Sequence, residues 1–410
     1  MKIKISGKST IFGILAYEWI SSVLFRDSNY SKFGFDLLLI ILMYFIVAKK
    51  KSGVIKNRLK GTGKLPIVFG TSYIVVCLIS SIINETPIIQ TLWNARTSFA
   101  MIIFWVGCVF FIDENDIMHF NGFLLKFNHI NFIVCILQFL LLNIQQDLMG
   151  GIFGSYVGVN SILNVFLIIT TTLAFNCFLN RCMSFCEILL VASENLIIAS
   201  LSELKIYYVE IALIFGVILI LNKPSFKTIL IVVIAAIGMP TIINLFYKFN
   251  PYYIGFFSLD KIFESFDMAY ASNGGLSRGR AWSYIQNNFL KNKIDLLFGI
   301  GFGNATYSSM SFLSSDFYKK YSYLKYNYFS HSYKLLESGY LGAITFIAFF
   351  VSPAMNFNND SNQECKVLAR TISIVCILLF VYNTCLMNYN TMFMITFVIC
   401  EICIESKKVK

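Results

Sequence analysis

The polar residues best suited to chemistry are concentrated in one long segment, residues 248–334. It holds ten basic residues, five acidic residues and 11 of the 22 tyrosines of the chain. Near its end lies His331, one of only three histidines. Imidazole is the side chain best able to take up and release protons near neutral pH. A lone histidine is often structural, so His331 has two open interpretations: a proton-handling group or an anchor of the loop.

Three glycines at alternate positions, Gly299, Gly301 and Gly303, form a second feature of this segment. Glycine lets a backbone turn sharply and approach a ligand closely. The run lacks the strand–turn–helix context of a dinucleotide site and the lysine of a P-loop. Ligand binding and a tight turn both remain open.

Two further polar positions lie among apolar residues. Glu203 and Lys205 form a junction between two hydrophobic stretches, where ionisable side chains usually face a cavity or a partner. The alternative is that both reach out to interfacial water. Asn160 follows a glycine-rich loop and begins another apolar stretch, where helix N-capping is the simplest role.

The composition requires a membrane. Of 410 residues, 57% are hydrophobic and only 13% are charged. A soluble globular protein carries roughly 25% charged residues, so a soluble enzyme, a disordered chain and a collagen-like fibre are excluded. Continuous rather than alternating apolar segments disfavour an outer-membrane β-barrel. The fold class is therefore an all-α polytopic membrane protein.

About twelve segments are apolar enough to form transmembrane helices of roughly 17–25 residues with their flanks. Residues 1–247 hold nine of them with short loops, residues 248–334 form one large loop outside the membrane, and residues 335–410 hold the last three and a tail. The predicted cores are 9–25, 33–48, 65–83, 97–112, 129–144, 160–179, 187–202, 205–222, 228–247, 335–353, 371–386 and 391–405.

The distribution of lysine and arginine predicts the orientation. With the N-terminus in the cytoplasm, 19 basic residues fall inside and three fall in short outside loops. Both termini are therefore expected in the cytoplasm, and the long loop is expected outside. The net charge of +11 is explained by a basic face against anionic lipid, and no nucleic-acid motif accompanies it. The partner so implied is the lipid bilayer.

The long loop is expected to contain amphipathic helices lying on the membrane surface. Residues 259–266 place apolar side chains on one helix face, with carboxylates on the other. A second helix carries Trp282, Ile285 and Phe289, and the residues from Ser277 to Arg280 open it.

Taken in order, these features resemble the O-antigen polymerase and ligase superfamily of the Wzy type. The resemblance covers roughly residues 150–350 and rests on Asn160 entering a span, the Glu203-x-Lys205 turn, Arg280-x-Trp282, the glycine run, and His331 followed by the stretch from Glu337 to Gly342. The family often has Asn after this His, where the present chain has Ser332.

The resemblance implies a glycosyltransferase of the bacterial cytoplasmic membrane. Its donor would be a glycan on undecaprenyl diphosphate, and its acceptor a hydroxyl of another lipid-linked repeat unit. Arg280 first and Arg278 second would bind the diphosphate, because a guanidinium matches two phosphate oxygens at once. His331 would act on the acceptor hydroxyl. The other expected substrate-binding residues are Arg96, Asn160, Glu203, Lys205, Gly299, Gly301, Gly303, Tyr323, Tyr326 and Tyr328.

Three functions remain open at this point. The first is polymerisation of repeat units of a surface polysaccharide, with a chain-length-regulating copolymerase as a possible partner. The second is a ligase of the same superfamily, and the third is a flippase for the same lipid-linked substrate. No cofactor is expected. A metal is not expected either, because the five acidic residues of the long loop are dispersed.

Overall fold

The computed structural model describes residues 6–25, 29–50, 64–221, 226–249, 254–255, 257–268, 274–308, 310–355 and 363–405. Throughout these ranges the regular structure is helical, so the predicted all-α class is confirmed. The α-helices are α1 (Gly7–Phe25), α2 (Asn29–Lys50), α3 (Lys64–Ile83), α4 (Ile88–Ser98), α5 (Ala100–Phe111), α6 (Glu114–Leu142), α7 (Asn160–Leu179), α8 (Phe185–Leu201), α9 (Lys205–Leu221), α10 (Phe226–Phe249), α11 (Leu259–Asp267), α12 (Arg278–Phe289), α13 (Lys293–Phe298), α14 (Asp316–Tyr321), α15 (Ser330–Met355), α16 (Gln363–Tyr382) and α17 (Tyr389–Glu405).

Each predicted apolar segment coincides with a helix or with a pair of helices. Within the described ranges, six helices are long and apolar enough to cross a membrane: α2, α3, α6, α7, α15 and α16. The pair α4–α5, which is bent by 41°, makes a seventh if it forms one span. Helices α8, α9 and α17 have 17 residues each, or about 26 Å at 1.5 Å per residue. The protein is therefore compatible with a multi-pass membrane topology.

Capping side chains fix the start of several helices. Asp113 accepts a hydrogen bond from the backbone of Asp116 in a capping box that opens α6, and Ser184 and Glu187 do the same for α8. Ser277 caps α12 by accepting from the backbone N–H of Arg280. These side chains satisfy backbone donors that have no partner within the helix.

Two membrane-type helices are interrupted. The α4–α5 pair is interrupted at Phe99, and α15 is interrupted at Gly339, whose φ is 64°. Both interruptions contact the loop that contains the glycine run. Phe302 stacks on Phe99 with ring centroids 5.6 Å apart, and a Cβ at Gly339 would overlap the backbone of Leu297. Interrupted helices are tolerated in membranes where protein covers the freed backbone groups.

The core divides into two clusters. The larger one joins the apolar helices, and the smaller one lies under residues 276–336. Ala281 and Ile285 of α12 are fully buried in the smaller cluster, against Leu335 and Leu336 of α15. The helix 278–289 was correctly predicted, but its apolar face packs on α15 instead of lying on the membrane surface.

One correction concerns the start of α6. The predicted apolar core begins at residue 129, but the helix begins at Glu114 and continues without a break to Leu142. His119 and His129 both lie on it; His119 is exposed, and His129 Nδ1 is 2.8 Å from a carboxylate oxygen of Glu194 on α8. A run of Asn, His and Lys lowers hydropathy without ending a helix, so the apolar core 129–144 covers only part of α6.

Candidate functional site

The candidate site is centred on the first turn of α12. Here Arg278 Nε donates a 2.9 Å hydrogen bond to the backbone carbonyl of Tyr382, at the end of α16. Its guanidinium carbon lies 4.3 Å from the centroid of the Tyr382 ring. A carbonyl and an aromatic face both favour a cation. Arg278 is therefore held firmly at the junction of two helices.

Arg280 lies on the same turn but faces outward. Its backbone N–H is bound by the Ser277 hydroxyl. Its side chain is exposed and forms no hydrogen bond or ion pair within the described residues. An exposed guanidinium at a helix N-terminus, where the helix dipole is positive, is a favourable place for an anion.

His331 lies directly behind Arg278. Its side chain is buried at 3% exposure and stacks on Trp282 of α12, with centroids 6.1 Å apart and planes 15° apart. Phe329 and Phe380 contribute further ring contacts. The imidazole also approaches the backbone carbonyl of Arg278. Residues 278 and 331, distant in sequence, are thus brought together.

The Glu203–Lys205 turn borders this group. Lys205 is the first residue of α9. Arg278 and Lys261 repel its ammonium group, whereas Glu203 and Glu264 attract it. Glu203 adopts a left-handed backbone conformation, with a φ of 57°, that makes the turn possible. The structure therefore brings Lys205 and Glu203 to the Arg278 side of the molecule.

Asn160 also lies beside this turn. Its side-chain amide donates to Asp147 at 2.7 Å and to the backbone carbonyl of Ser202 at 3.4 Å. The N-cap residue of α7 is Val159, which has no capping side chain, so the interpretation of Asn160 as an N-cap is wrong. Asn160 instead ties the glycine-rich loop before α7 to the turn that carries Glu203.

Arg96 is not part of this group. Its guanidinium pairs with Asp36 of α2 at 2.7 Å and lies 3.8 Å from the centroid of the Trp93 ring. Tyr389 donates to the other Asp36 oxygen at 2.8 Å. These contacts connect α2, α4 and α17, so Arg96 has an evident role in helix packing.

The three glycines of the run are buried, Gly299 and Gly303 against neighbouring backbone and Gly301 against side chains. A Cβ at Gly299 would lie 2.5 Å from the carbonyl carbon of Glu337, and one at Gly303 would lie 2.9 Å from the backbone nitrogen of Thr91. Gly301 faces Thr86 and Asn84 at comparable distances. All three have positive φ. The run therefore lets residues 298–303 pass between α3, α4 and α15 in close contact.

The three tyrosines expected to face sugars differ in exposure. Tyr323 is 50% exposed and Tyr328 is 39% exposed, so both can present a ring face. Tyr326 is fully buried, and its hydroxyl donates to the Ala305 carbonyl at 2.8 Å. Burial also raises the pKa of Tyr326. A sugar cannot reach Tyr326 in this conformation, because the smaller core covers its ring.

Sequence reasoning missed Tyr382, whose carbonyl and ring hold Arg278. It falls inside the predicted span 371–386 and carries no local signal. Sequence reasoning also left Lys334 unexplained, although a lysine at the start of the predicted apolar segment 335–353 is costly and points to a specific environment.

Neither the models of known protein families nor the curated proteins give a match to this chain. What points to a function is therefore the placement of Lys205, Arg278, Arg280 and His331, together with the sequence resemblance.

Proposed function

We propose that this protein is a membrane-embedded glycosyltransferase that polymerises lipid-linked repeat units of a surface polysaccharide. One observation carries the proposal: Arg278 and Arg280 lie on the first turn of α12 in a multi-pass helical protein, with the His331 imidazole beside the Arg278 carbonyl and Lys205 in electrostatic interaction with Arg278. Such a cluster of cations fits a diphosphate, and a histidine beside it fits an acceptor hydroxyl. The resemblance to the O-antigen polymerase and ligase superfamily names the same residue types.

The proposal includes a topology. All twelve apolar segments cross the bacterial cytoplasmic membrane, both termini are cytoplasmic, and residues 248–334 lie outside. The support for this is the ratio of 19 inside to 3 outside basic residues. The site then opens where lipid-linked sugars are available after translocation.

The proposed reaction is a substitution at the anomeric carbon of the donor glycan. The acceptor hydroxyl oxygen forms a bond to that carbon, while the bond to the diphosphate oxygen breaks and undecaprenyl diphosphate leaves with the electron pair. Arg278, Arg280 and Lys205 stabilise the charge that develops on the leaving oxygen. His331, whose imidazole is covered by aromatic rings in this conformation, accepts the hydroxyl proton or orients the hydroxyl by a hydrogen bond once the arriving substrate displaces that cover. Side-chain cations thus take the place of a divalent ion.

The arrangement of the two arginines suggests separate tasks. Arg278 is fixed to Tyr382 and supplies a preorganised charge, which costs no reorganisation during the reaction. Arg280 is exposed and can close on a phosphate as the lipid arrives. Stacking of His331 on Trp282 limits the orientation of its ring.

The decisive experiment uses purified protein in lipid nanodiscs with undecaprenyl-diphosphate-linked repeat units. A polymerase produces a ladder of lipid-linked oligomers. Transfer only when lipid A core is added would identify a ligase. Movement of a fluorescent lipid-linked oligosaccharide across vesicles, without any change in its length, would identify a flippase. Gene deletion provides the cellular test: loss of a polymerase leaves single repeat units on the surface.

A further inference from the structure

A buried carboxylate outside the proposed reaction centre connects three elements. Glu337 of α15 is 0% exposed. One of its oxygens accepts a 2.7 Å hydrogen bond from the Asn94 amide on α4, and the other accepts a 3.2 Å bond from the Thr306 hydroxyl after the glycine run. The Ser80 hydroxyl of α3 reaches the Glu337 backbone carbonyl at 2.9 Å. Glu337 is therefore a meeting point of α3, α4, α15 and the loop.

Lys334, one turn earlier on α15, supplies a buried countercharge. It is 1% exposed, and its Nζ donates to the Ser98 hydroxyl at 3.0 Å. The rings of Tyr73, Tyr333 and Phe346 surround the ammonium, with centroids 5.1–5.6 Å away. Lys334 and Glu337 attract each other electrostatically across one helical turn. Burying two charges is costly, and removing one partner leaves the other uncompensated.

These contacts lie at one end of a short rigid segment. The interruption at Gly339 separates residues 330–338 from the rest of α15. Glu337 and Lys334 hold the C-terminal part of residues 330–338, next to the interruption. At the N-terminal end of the same half-helix, His331 stacks on Trp282. Because a helical segment moves as a unit, the contacts of Glu337 help to set where the imidazole lies relative to Arg278, together with the hydroxyl bonds of Ser330 and Ser332 to the backbone of Asn383 and Tyr326.

We propose that Glu337 is a positioning residue: its carboxylate, bound by Asn94 and Thr306, holds the half-helix 330–338 so that His331 faces the acceptor beside Arg278. This inference rests on the proposed function for its catalytic consequence, and its structural part stands independently. Glu337 itself does not contact the substrate, because it is enclosed by α3, α4 and the loop.

The test combines a structural signal with kinetics. The protein has four tryptophans, so 5-fluorotryptophan labelling gives four ¹⁹F resonances, and Trp282→Phe assigns the one that reports on the His331 contact. Glu337→Ala removes the carboxylate that Asn94, Thr306 and Tyr333 approach, and Glu337→Gln retains amide hydrogen bonding without charge. Thr306→Val removes only the Thr306 hydroxyl from this cluster and remains informative if Glu337→Ala does not fold.

Matched controls are available in the same chain. Glu210 of α9 is also 0% exposed and accepts a 2.9 Å hydrogen bond from Asn164, so Glu210→Gln removes a similar buried carboxylate away from this cluster. Thr345→Val changes a threonine of α15 whose hydroxyl bonds only to the carbonyls of its own helix.

We expect the Trp282 resonance to shift in Glu337→Ala and Thr306→Val, and to stay in place in both controls. On lipid-linked repeat units, kcat of Glu337→Ala should fall roughly tenfold or more while KM changes less than about twofold, because a misplaced group slows the reaction rather than binding. Glu337→Gln should recover part of the loss. The proposal is overturned if the Trp282 resonance does not move in folded Glu337→Ala or Thr306→Val. It is also overturned if Glu210→Gln shifts that resonance equally. If the wild type forms no polymer, the proposed function fails, and the resonance alone decides whether Glu337 positions His331.

Discussion

Replacing Arg280 by alanine tests the proposed diphosphate site with little risk to the fold. Its side chain is exposed and makes no internal hydrogen bond or ion pair within the described residues. Surface substitutions of this kind usually change stability by less than about 0.5 kcal/mol. Arg278 is the contrasting case, because Arg278→Ala also removes the hydrogen bond to the Tyr382 carbonyl and the contact with the Tyr382 ring.

The expected magnitudes separate binding from folding. A charge-assisted hydrogen bond is worth about 1.5–3 kcal/mol, so Arg280→Ala should lower kcat/KM roughly ten- to a hundredfold at wild-type stability. Arg280→Lys should recover only part of this, because an ammonium lacks the planar fork of a guanidinium. Arg278→Ala should lower activity and should also destabilise the protein by about 2–3 kcal/mol, from the lost hydrogen bond and cation–π contact.

The assay measures polymer formed on lipid-linked repeat units by purified protein, normalised to the folded fraction. Thermal unfolding in the same nanodiscs gives stability. Lys293→Ala serves as the control, because it removes another exposed cation from the segment 274–308. Wild-type polymer from folded Arg280→Ala would remove Arg280 from the site. An equal loss in Lys293→Ala would show a general charge effect instead.

The remaining predictions concern the histidines, the tyrosines and the topology. His331→Ala should lower turnover per folded molecule roughly 10²–10⁴-fold. His331→Gln should be active only if His331 positions the acceptor hydroxyl and does not take its proton. His129→Ala should lower thermal stability and leave turnover unchanged. Tyr326→Phe should cost about 1 kcal/mol of stability in denaturation with unchanged KM, whereas Tyr328→Ala should raise KM for the repeat unit. In intact cells, native Cys182, which is exposed, should react with an impermeant thiol reagent only after permeabilisation.

The helices were predictable because their causes are local. Continuous apolar stretches and capping residues such as Ser277 determine where helices exist, and these are visible in the sequence. The interruptions at Phe99 and Gly339 were not predicted. They depend on a loop some 200 residues away from α4, whose Phe302 stacks on Phe99. No local pattern contains that information.

For the candidate site, too, local sequence indicates residue types, and only the tertiary structure shows which residues lie together. The types of Arg278, Arg280 and His331 suggested their chemistry, and their proximity required the tertiary structure. The position of Arg96 was not predictable from type, because a guanidinium suits an ion pair with Asp36 as well as a phosphate. Exposure separated Tyr323 and Tyr328 from Tyr326, and exposure depends on packing between α14, α15 and the loop.

The glycine run offers a final test of packing against ligand binding. Gly303 has a φ of 108°, and an added Cβ would lie 2.9–3.1 Å from the backbone of Gln90 and Thr91. Gly274 has a similar φ of 89° with nothing within 4 Å, so Gly274→Ala isolates the cost of backbone strain. That strain is of order 1–3 kcal/mol, and overpacking adds typically 1–3 kcal/mol at Gly303.

Gly303→Ala should therefore destabilise the protein by about 1–3 kcal/mol more than Gly274→Ala, as measured by thermal unfolding in nanodiscs. Its KM for the lipid-linked repeat unit, per folded molecule, should stay within about twofold of wild type, because the buried face of Gly303 meets protein backbone and leaves no room for a phosphate. A large rise in KM with normal stability would mean that the loop opens to cradle the substrate. In that case the glycines belong to the binding site, and the close contact with α4 describes only its closed state.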